Sequence, residues 1–141
     1  MPNSNIPFPL AKKLKEAGIL FPESEKVIID YRDLADNKAE WYKSHYRVAI
    51  RQKDPGSDYC YDDPSADELA DRLPDTIYIS NNNYWFEILK VHKTYTLWFK
   101  ENSEHHVIKS FDNSSLASAL TEALLWCAEN GYLKEVTNAN S

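Results

Sequence analysis

The chain has 141 residues, of which 43% are hydrophobic and 27% charged, and its net charge is −6. This length and composition are typical of a globular protein with one domain. The negative charge disfavours binding to nucleic acid, because phosphate backbones repel it. No apolar run approaches the ~18 residues that cross a bilayer, and the N-terminal segment lacks the basic and apolar regions of a signal peptide. We therefore expect no membrane segment.

Residues 9–17 form the first predicted helix. Pro9 suits a first helical turn, and Gly18 follows the last apolar residue as a stop signal. Two β-rich segments come next, at residues 27–31 and 45–51. The second alternates apolar and polar residues, and we interpret the two as a long hairpin.

A second helix is predicted at residues 66–73. Ser65 and Glu68 have the spacing of a capping box, in which each side chain satisfies a backbone N–H at the start of a helix. Pro74 ends the element. The turn-forming sequence of residues 54–57 precedes this region.

The C-terminal half predicts a meander of strands and one long helix. A short strand around Tyr78 is followed by a turn at residues 81–83. The remaining strands are Tyr84–Val91, Thr94–Lys100 and His105–Phe111. An amphipathic helix over residues 115–130 has an unbroken apolar stripe and ends at Gly131.

A two-residue turn between Val91 and Thr94 sets the faces of the sheet. One face then carries Phe86, Ile88, Leu97, Phe99 and Ile108. The other carries Trp85, Leu89, Trp98 and Val107, mixed with Glu87, Thr96 and Lys109.

These elements predict an α+β fold in which an antiparallel meander is covered by the C-terminal helix. A shorter helix precedes the meander, and a helix and a hairpin lie N-terminal to it. We expect one domain over residues 1–141. Residues 9–62 form its N-terminal region, residues 63–133 contain the meander, and residues 134–141 are a tail.

The sequence offers no motif for a cofactor or a metal. Its three glycines are isolated, whereas phosphate-binding loops need clustered glycines. His105 and His106 are adjacent on a predicted strand, so their side chains point to opposite faces and do not share an ion. The two cysteines, Cys60 and Cys127, do not make a disulfide framework, and we interpret both as reduced thiols of a cytoplasmic protein.

The aromatic second face of the sheet is the main candidate site. Trp85 and Trp98, with His105 nearby, form a surface of the type that dominates protein interfaces. The alternative is that the N-terminal hairpin covers this face as a second core layer. The acidic pair Asp62 and Asp63 is a further candidate contact for a partner protein.

Two other functions stay open. One is a small hydrolase or nuclease that uses His105 or His106 with acids from residues 58–71. The other is an acidic mimic of nucleic acid, because residues 54–75 contain eight acidic residues and one arginine. No catalytic constellation is complete in the sequence, so a non-enzymatic protein that binds another protein is the leading hypothesis.

Several stretches resemble a group of small uncharacterised proteins of bacteriophages and prophages. The resemblance rests on LKEAG at residues 14–18, the helix from Pro64 to Pro74, and SLASALTEALLWCAENGYL at residues 115–133. It implies an origin in a mobile element and no known activity. The order of elements over residues 65–130 is also similar to that of double-stranded-RNA-binding domains and HicB-type antitoxins. The former have a lysine-rich start to the last helix, where this chain has Asn113 and two serines.

Overall fold

The computed structural model describes residues 4–30, 46–50, 60–101 and 106–133. The chain divides into two compact units, unit 1 over residues 1–65 and unit 2 over residues 66–141. Each unit has its own sheet and is described by itself. The predicted turn at 54–57 and the predicted tail at 134–141 lie outside the described residues.

Unit 1 contains one helix and a three-stranded antiparallel sheet. The helix α1 spans Phe8–Glu16, and the strands are β1 at Lys26–Asp30, β2 at Tyr46–Ile50 and β3 at Cys60–Asp62. The sheet order is β2-β1-β3. Ile28 faces Val48 on β2, which confirms the predicted pairing of the two hairpin strands. The strand β3, which pairs with the other side of β1, was not predicted from the sequence.

Helix α1 is held by its apolar stripe and by a glycine at its end. Phe8, Ala11 and Leu14 are buried. Gly18 has a φ of +77°, a value that glycine adopts without the steric cost of a side chain. Its N–H donates to Lys15, and the next N–H, from Ile19, donates to Leu14. This Schellman motif satisfies carbonyls that the helix itself leaves without partners.

Unit 2 contains a four-stranded antiparallel meander, with one helix before it in the sequence and one helix after it. The elements are α2 at Ala66–Arg72, β4 at Thr76–Ile79, β5 at Asn82–Val91, β6 at Thr94–Glu101, β7 at Val107–Asn113 and α3 at Leu116–Glu129. The sheet order β4-β5-β6-β7 follows the sequence. With unit 1 this confirms the predicted α+β fold and the helices at both ends of the meander.

Two tight turns join the first three strands of unit 2. Ser80 and Asn81 connect β4 to β5, and His92 and Lys93 connect β5 to β6; all four have positive φ. Positive φ at both central positions is the geometry of the turn that matches the twist of a hairpin. The predicted turn at residues 81–83 was displaced, because Asn82 and Asn83 already pair with β4.

The predicted register of β5 and β6 is confirmed, but the third strand differs. Val91 faces Thr94 and Phe86 faces Phe99. On β7, however, Lys109 faces Phe99 while Val107 faces Lys100, so Ile108 is an extra residue at a bulge. The prediction that Lys109 lies on the Trp98 face was therefore wrong, because directly paired residues share a face.

Helix α3 covers the face of the sheet that carries Phe99. The Trp126 ring stacks on Phe99 with 5.8 Å between ring centroids, and Phe111 meets its edge at 6.0 Å. Ser115 caps the start of the helix, and its hydroxyl accepts a hydrogen bond from the Ser118 N–H at 3.2 Å. The buried residues of this core include Leu69, Ile77, Leu97, Phe99, Leu120, Leu124 and Cys127.

Candidate functional site

The face of the unit 2 sheet opposite α3, here called the outer face, brings the predicted tryptophans together. Trp85 on β5 faces Lys100 on β6, and the next outward pair is Glu87 with Trp98. Trp85 and Trp98 are therefore diagonal neighbours on one face, as the register predicts. Tyr78 joins the same face from β4, because Thr76, two residues before it, is paired with Trp85.

Polar contacts hold the outer face in a defined arrangement. The Trp98 Nε1–H donates to the Glu87 carboxylate at 2.7 Å, and the Lys100 ammonium lies 5.7 Å from the centre of the Trp98 ring. Thr96 donates from its hydroxyl to Asp112 at 2.6 Å across the next strand pair. Trp98 is consequently a fixed, half-buried ring with a satisfied indole N–H.

Trp85 is the exposed member of the pair, with 50% of its surface accessible. Six large exposed hydrophobic residues are found among the described residues, and four of these lie on the outer face, on β4 and β5: Tyr78, Trp85, Leu89 and Val91. Ile88 is also exposed but shares the opposite face with its partner Leu97. The alternative in which the N-terminal hairpin covers this face stays a prediction.

Tyr78 and Val91 were not among the predicted site residues. Tyr78 stands between two isoleucines, so alternation identifies it as facing away from Ile77, which is 4% exposed. Its hydroxyl also lies 3.3 Å from the Asn81 side-chain oxygen. This alternation was visible in the sequence, but it was used only to predict a strand.

Only one of the two candidate histidines is among the residues that the structure describes. His105 lies outside the described residues. His106 is exposed, its carbonyl accepts from the Glu101 N–H, and its ring lies 6.3 Å from that of Tyr84. Within the described part of the chain, no group of three His, Cys, Asp or Glu side chains could hold a metal ion. The hydrolase and acidic-mimic alternatives stay predictions.

Asp62 and Asp63 are structural partners of the backbone in unit 1. The Asp63 side chain is fully buried and accepts from the N–H groups of Asn5 and Ile6 at 2.9 and 3.0 Å. Asp62 is half-buried and accepts from the Phe21 N–H at 2.7 Å. These contacts give both carboxylates a role inside unit 1, and a role in partner binding stays a prediction.

Unit 2 also has an open pocket of about 470 Å³. It lies where α2 leads into β4, and its wall is completed by the residues after α3. The lining residues are Ala70, Asp71, Arg72, Leu73, Pro74, Asp75, Thr76, Tyr132 and Leu133. This set includes two acids, one arginine and two hydroxyl side chains, but no histidine, cysteine or serine.

Cys127 is chemically protected by its position. It is buried in the α3 core, and this burial raises the pKa of its thiol from 9.0 to about 12. A thiol is nucleophilic as the thiolate, so we expect Cys127 in the folded protein to resist alkylation at neutral pH. Mass spectrometry after treatment with iodoacetamide, with and without denaturant, measures this; rapid modification in the folded state contradicts it.

The same pKa difference makes stability depend on pH. Because the folded thiol has the higher pKa, its contribution is complete below about pH 9 and is lost as pH rises toward 12. Chemical denaturation at pH 8 and at pH 10 measures this effect. Between these two pH values, the free energy of unfolding should fall less for Cys127→Ala than for the wild type. An equal decline would assign the loss to other groups.

No helix in the described part of the chain is long and apolar enough to cross a membrane. Comparison with known proteins gave no match to a protein-family model, a curated protein or a solved structure. The resemblance to phage and prophage proteins, and the topological similarity to RNA-binding and HicB-type folds, therefore remain predictions from sequence.

Proposed function

We propose that this chain is a non-enzymatic protein that binds another protein through the outer face of the unit 2 sheet. The observation that carries the proposal is that four exposed large hydrophobic side chains lie on this face: Tyr78 on β4, and Trp85, Leu89 and Val91 on β5. Isolated exposed apolar residues are ordinary, but several on one face of a sheet are typical of an interaction surface.

The composition of the outer face supports a protein as the partner. Trp85 and Tyr78 supply large rings with few rotatable bonds, which are frequent hot spots of protein interfaces. Glu87, Lys100 and Asp112 surround them with charges of both signs. A polar rim around aromatic anchors is typical of protein interfaces, whereas a nucleic-acid surface needs a positive stripe.

The cellular setting belongs to the proposal as well. Cys60 and Cys127 are both thiols, which fits the reducing cytoplasm. The phage or prophage origin is supported by the sequence resemblance alone. It suggests partners among phage or host proteins.

Site-specific photo-crosslinking tests the proposed surface. A benzophenone amino acid is placed at Trp85, and the matched control carries it at Glu129, an exposed position at the end of α3. We expect one discrete adduct with a different protein from position 85 and none from position 129. Identical products from both positions, or adducts only with the chain itself, contradict the proposal.

The Trp85→Ala variant then quantifies the contact. Because Trp85 is half-exposed, its removal should leave the fold intact while weakening binding of the crosslinked partner by about thirtyfold. The Glu129→Ala control should bind as the wild type does. Unchanged affinity of Trp85→Ala would remove Trp85 as an anchor of the interface.

A further inference from the structure

The end of α3 carries the one place in the sequence where glycine follows asparagine, at Asn130 and Gly131. Both residues are exposed, and Gly131 has a φ of +75°. The Gly131 N–H donates to the Ala128 carbonyl at 3.3 Å. The N–H of Tyr132 donates to the Cys127 carbonyl at 2.8 Å, which completes a Schellman motif at the end of the helix.

The Asn130 side chain belongs to the same cap. Its Nδ2 group donates to the Trp126 carbonyl at 2.8 Å, and its backbone N–H donates to the same oxygen at 3.2 Å. This carbonyl lies in the last turn, at the negative end of the helix dipole, where a donor is favoured and a carboxylate is disfavoured. The cap therefore uses the amide of asparagine, and an acid at this position could not replace it.

The glycine after Asn130 gives this amide a route to a covalent change. The Gly131 nitrogen attacks the carbonyl carbon of the Asn130 side chain, so that a new C–N bond closes a succinimide ring. The side-chain nitrogen leaves as ammonia and takes the proton that the Gly131 nitrogen gives up. Water then opens the ring at either of its carbonyls, which leaves aspartate or isoaspartate. Glycine permits the closure because it has no side chain beside the attacking nitrogen.

The capped geometry holds the reacting atoms apart. Asn130 has a ψ of 5°, so its own backbone nitrogen eclipses the Gly131 nitrogen across the Cα–C bond. The ring requires the side chain to take that eclipsed place. The side-chain amide is also held by the Trp126 carbonyl. The reaction therefore needs the end of α3 to open, and helix ends open at a much lower free-energy cost than the core of a domain.

We propose that Asn130 is a modification site at which water converts the cap of α3 to an acid. The conversion occurs when the helix end opens, and its products weaken the cap. A carboxylate has no N–H to donate to Trp126, and it adds a negative charge beside the exposed Glu129. The last turn of α3 has no basic residue to offset that charge. This proposal is independent of the partner-binding function.

Peptide mapping by mass spectrometry measures the conversion in folded and in urea-denatured protein. Isoaspartate is the diagnostic product, because direct hydrolysis of the side chain gives aspartate alone. In the folded protein we expect isoaspartate at position 130 to form about ten- to a hundredfold more slowly than in urea. Asn81 is an internal control, since it is an exposed turn residue with positive φ that is followed by Asn82.

Two results of this experiment overturn the proposal. One is conversion of Asn81 as fast as that of Asn130, which would mean that the glycine has no part in the reaction. The other is an Asn130 that stays intact in the folded protein after an incubation about a hundredfold longer than the denatured chain requires.

The Gly131→Ala variant separates the chemistry from the opening of the helix end. The added Cβ meets no atom within 4 Å, but the positive φ is strained for alanine, so the cap is looser than in the wild type. A looser cap alone speeds the conversion of Asn130, whereas a side chain beside the attacking nitrogen slows it. We expect conversion at least about tenfold slower than in the wild type, in urea and in the folded protein. An equal or faster rate in urea overturns the ring closure.

Hydrogen exchange of the Tyr132 amide tests the effect on the cap, with Asn130→Asp in place of the modified residue. Asn130→Ala is the matched control, because it removes the bond to Trp126 and adds no charge. The intrinsic exchange rate at Tyr132 depends on that residue and on Gly131, which neither substitution changes. We expect exchange in Asn130→Asp to be about two- to fivefold faster than in Asn130→Ala, which is itself faster than the wild type. Exchange in Asn130→Asp as slow as in the wild type overturns the link between the modification and the cap.

Discussion

Replacing Leu124 with alanine is expected to lower the free energy of unfolding of unit 2 by about 2–5 kcal/mol. Leu124 lies on α3 and is fully buried, in the same core as the fully buried Leu97 and Phe99. Its truncation removes apolar contacts and leaves a cavity, because the sheet and the helix cannot both move inward to fill the space. The effect is large beside the 5–15 kcal/mol of total stability that is usual for a domain.

The neighbouring residue Leu125 offers a matched control. It is on the same helix and is half-buried, so Leu125→Ala changes helix propensity equally and removes less buried surface. Urea denaturation followed by tryptophan fluorescence measures both variants, because Trp85, Trp98 and Trp126 all belong to unit 2. Equal destabilisation by the two substitutions would show that α3 does not bury its Leu124 face against the sheet.

The architecture of unit 2 was readable from sequence because its signals are local. The stripe of α3 recurs at helical spacing, and the short connection between Val91 and Thr94 leaves one register in which Phe86 meets Phe99. The aromatic surface follows from the same register. Given two strands joined by a two-residue turn, alternation places Trp85 and Trp98 on one face without any knowledge of the tertiary structure.

What was missed depends on contacts that are distant in sequence or on backbone detail. The bulge at Ile108 has no glycine to mark it, and it reverses the face assigned to Lys109. The strand β3 has three residues, too few to show a period. The strand β4 is shorter than β5, with which it pairs, and the apolar pattern of β5 alone gives no sign of this difference.

Asp63 shows the same limit for a single residue. The sequence predicted Asp63, with Asp62, only as a contact for a partner protein. In the structure its carboxylate accepts hydrogen bonds from the backbone of Asn5 and Ile6, 58 and 57 residues earlier in the chain. No local pattern indicates a contact over that separation.

Replacing Asp63 with alanine is therefore expected to destabilise unit 1 by about 2–4 kcal/mol, because the N–H groups of Asn5 and Ile6 lose their acceptor in a buried setting. Ile6 is 1% exposed, so water does not readily replace the carboxylate at its N–H. Asp62→Ala is the control at the preceding residue; it removes a half-buried carboxylate that accepts from the Phe21 N–H and should cost less. Amide hydrogen exchange measures both: the Ile6 amide should exchange much faster in Asp63→Ala than in the wild type or the control. Two donors in the segment before α1 converge on this one side chain. If Ile6 keeps its wild-type protection in Asp63→Ala, the packing of Ile6 itself, and not the carboxylate, holds that segment in place.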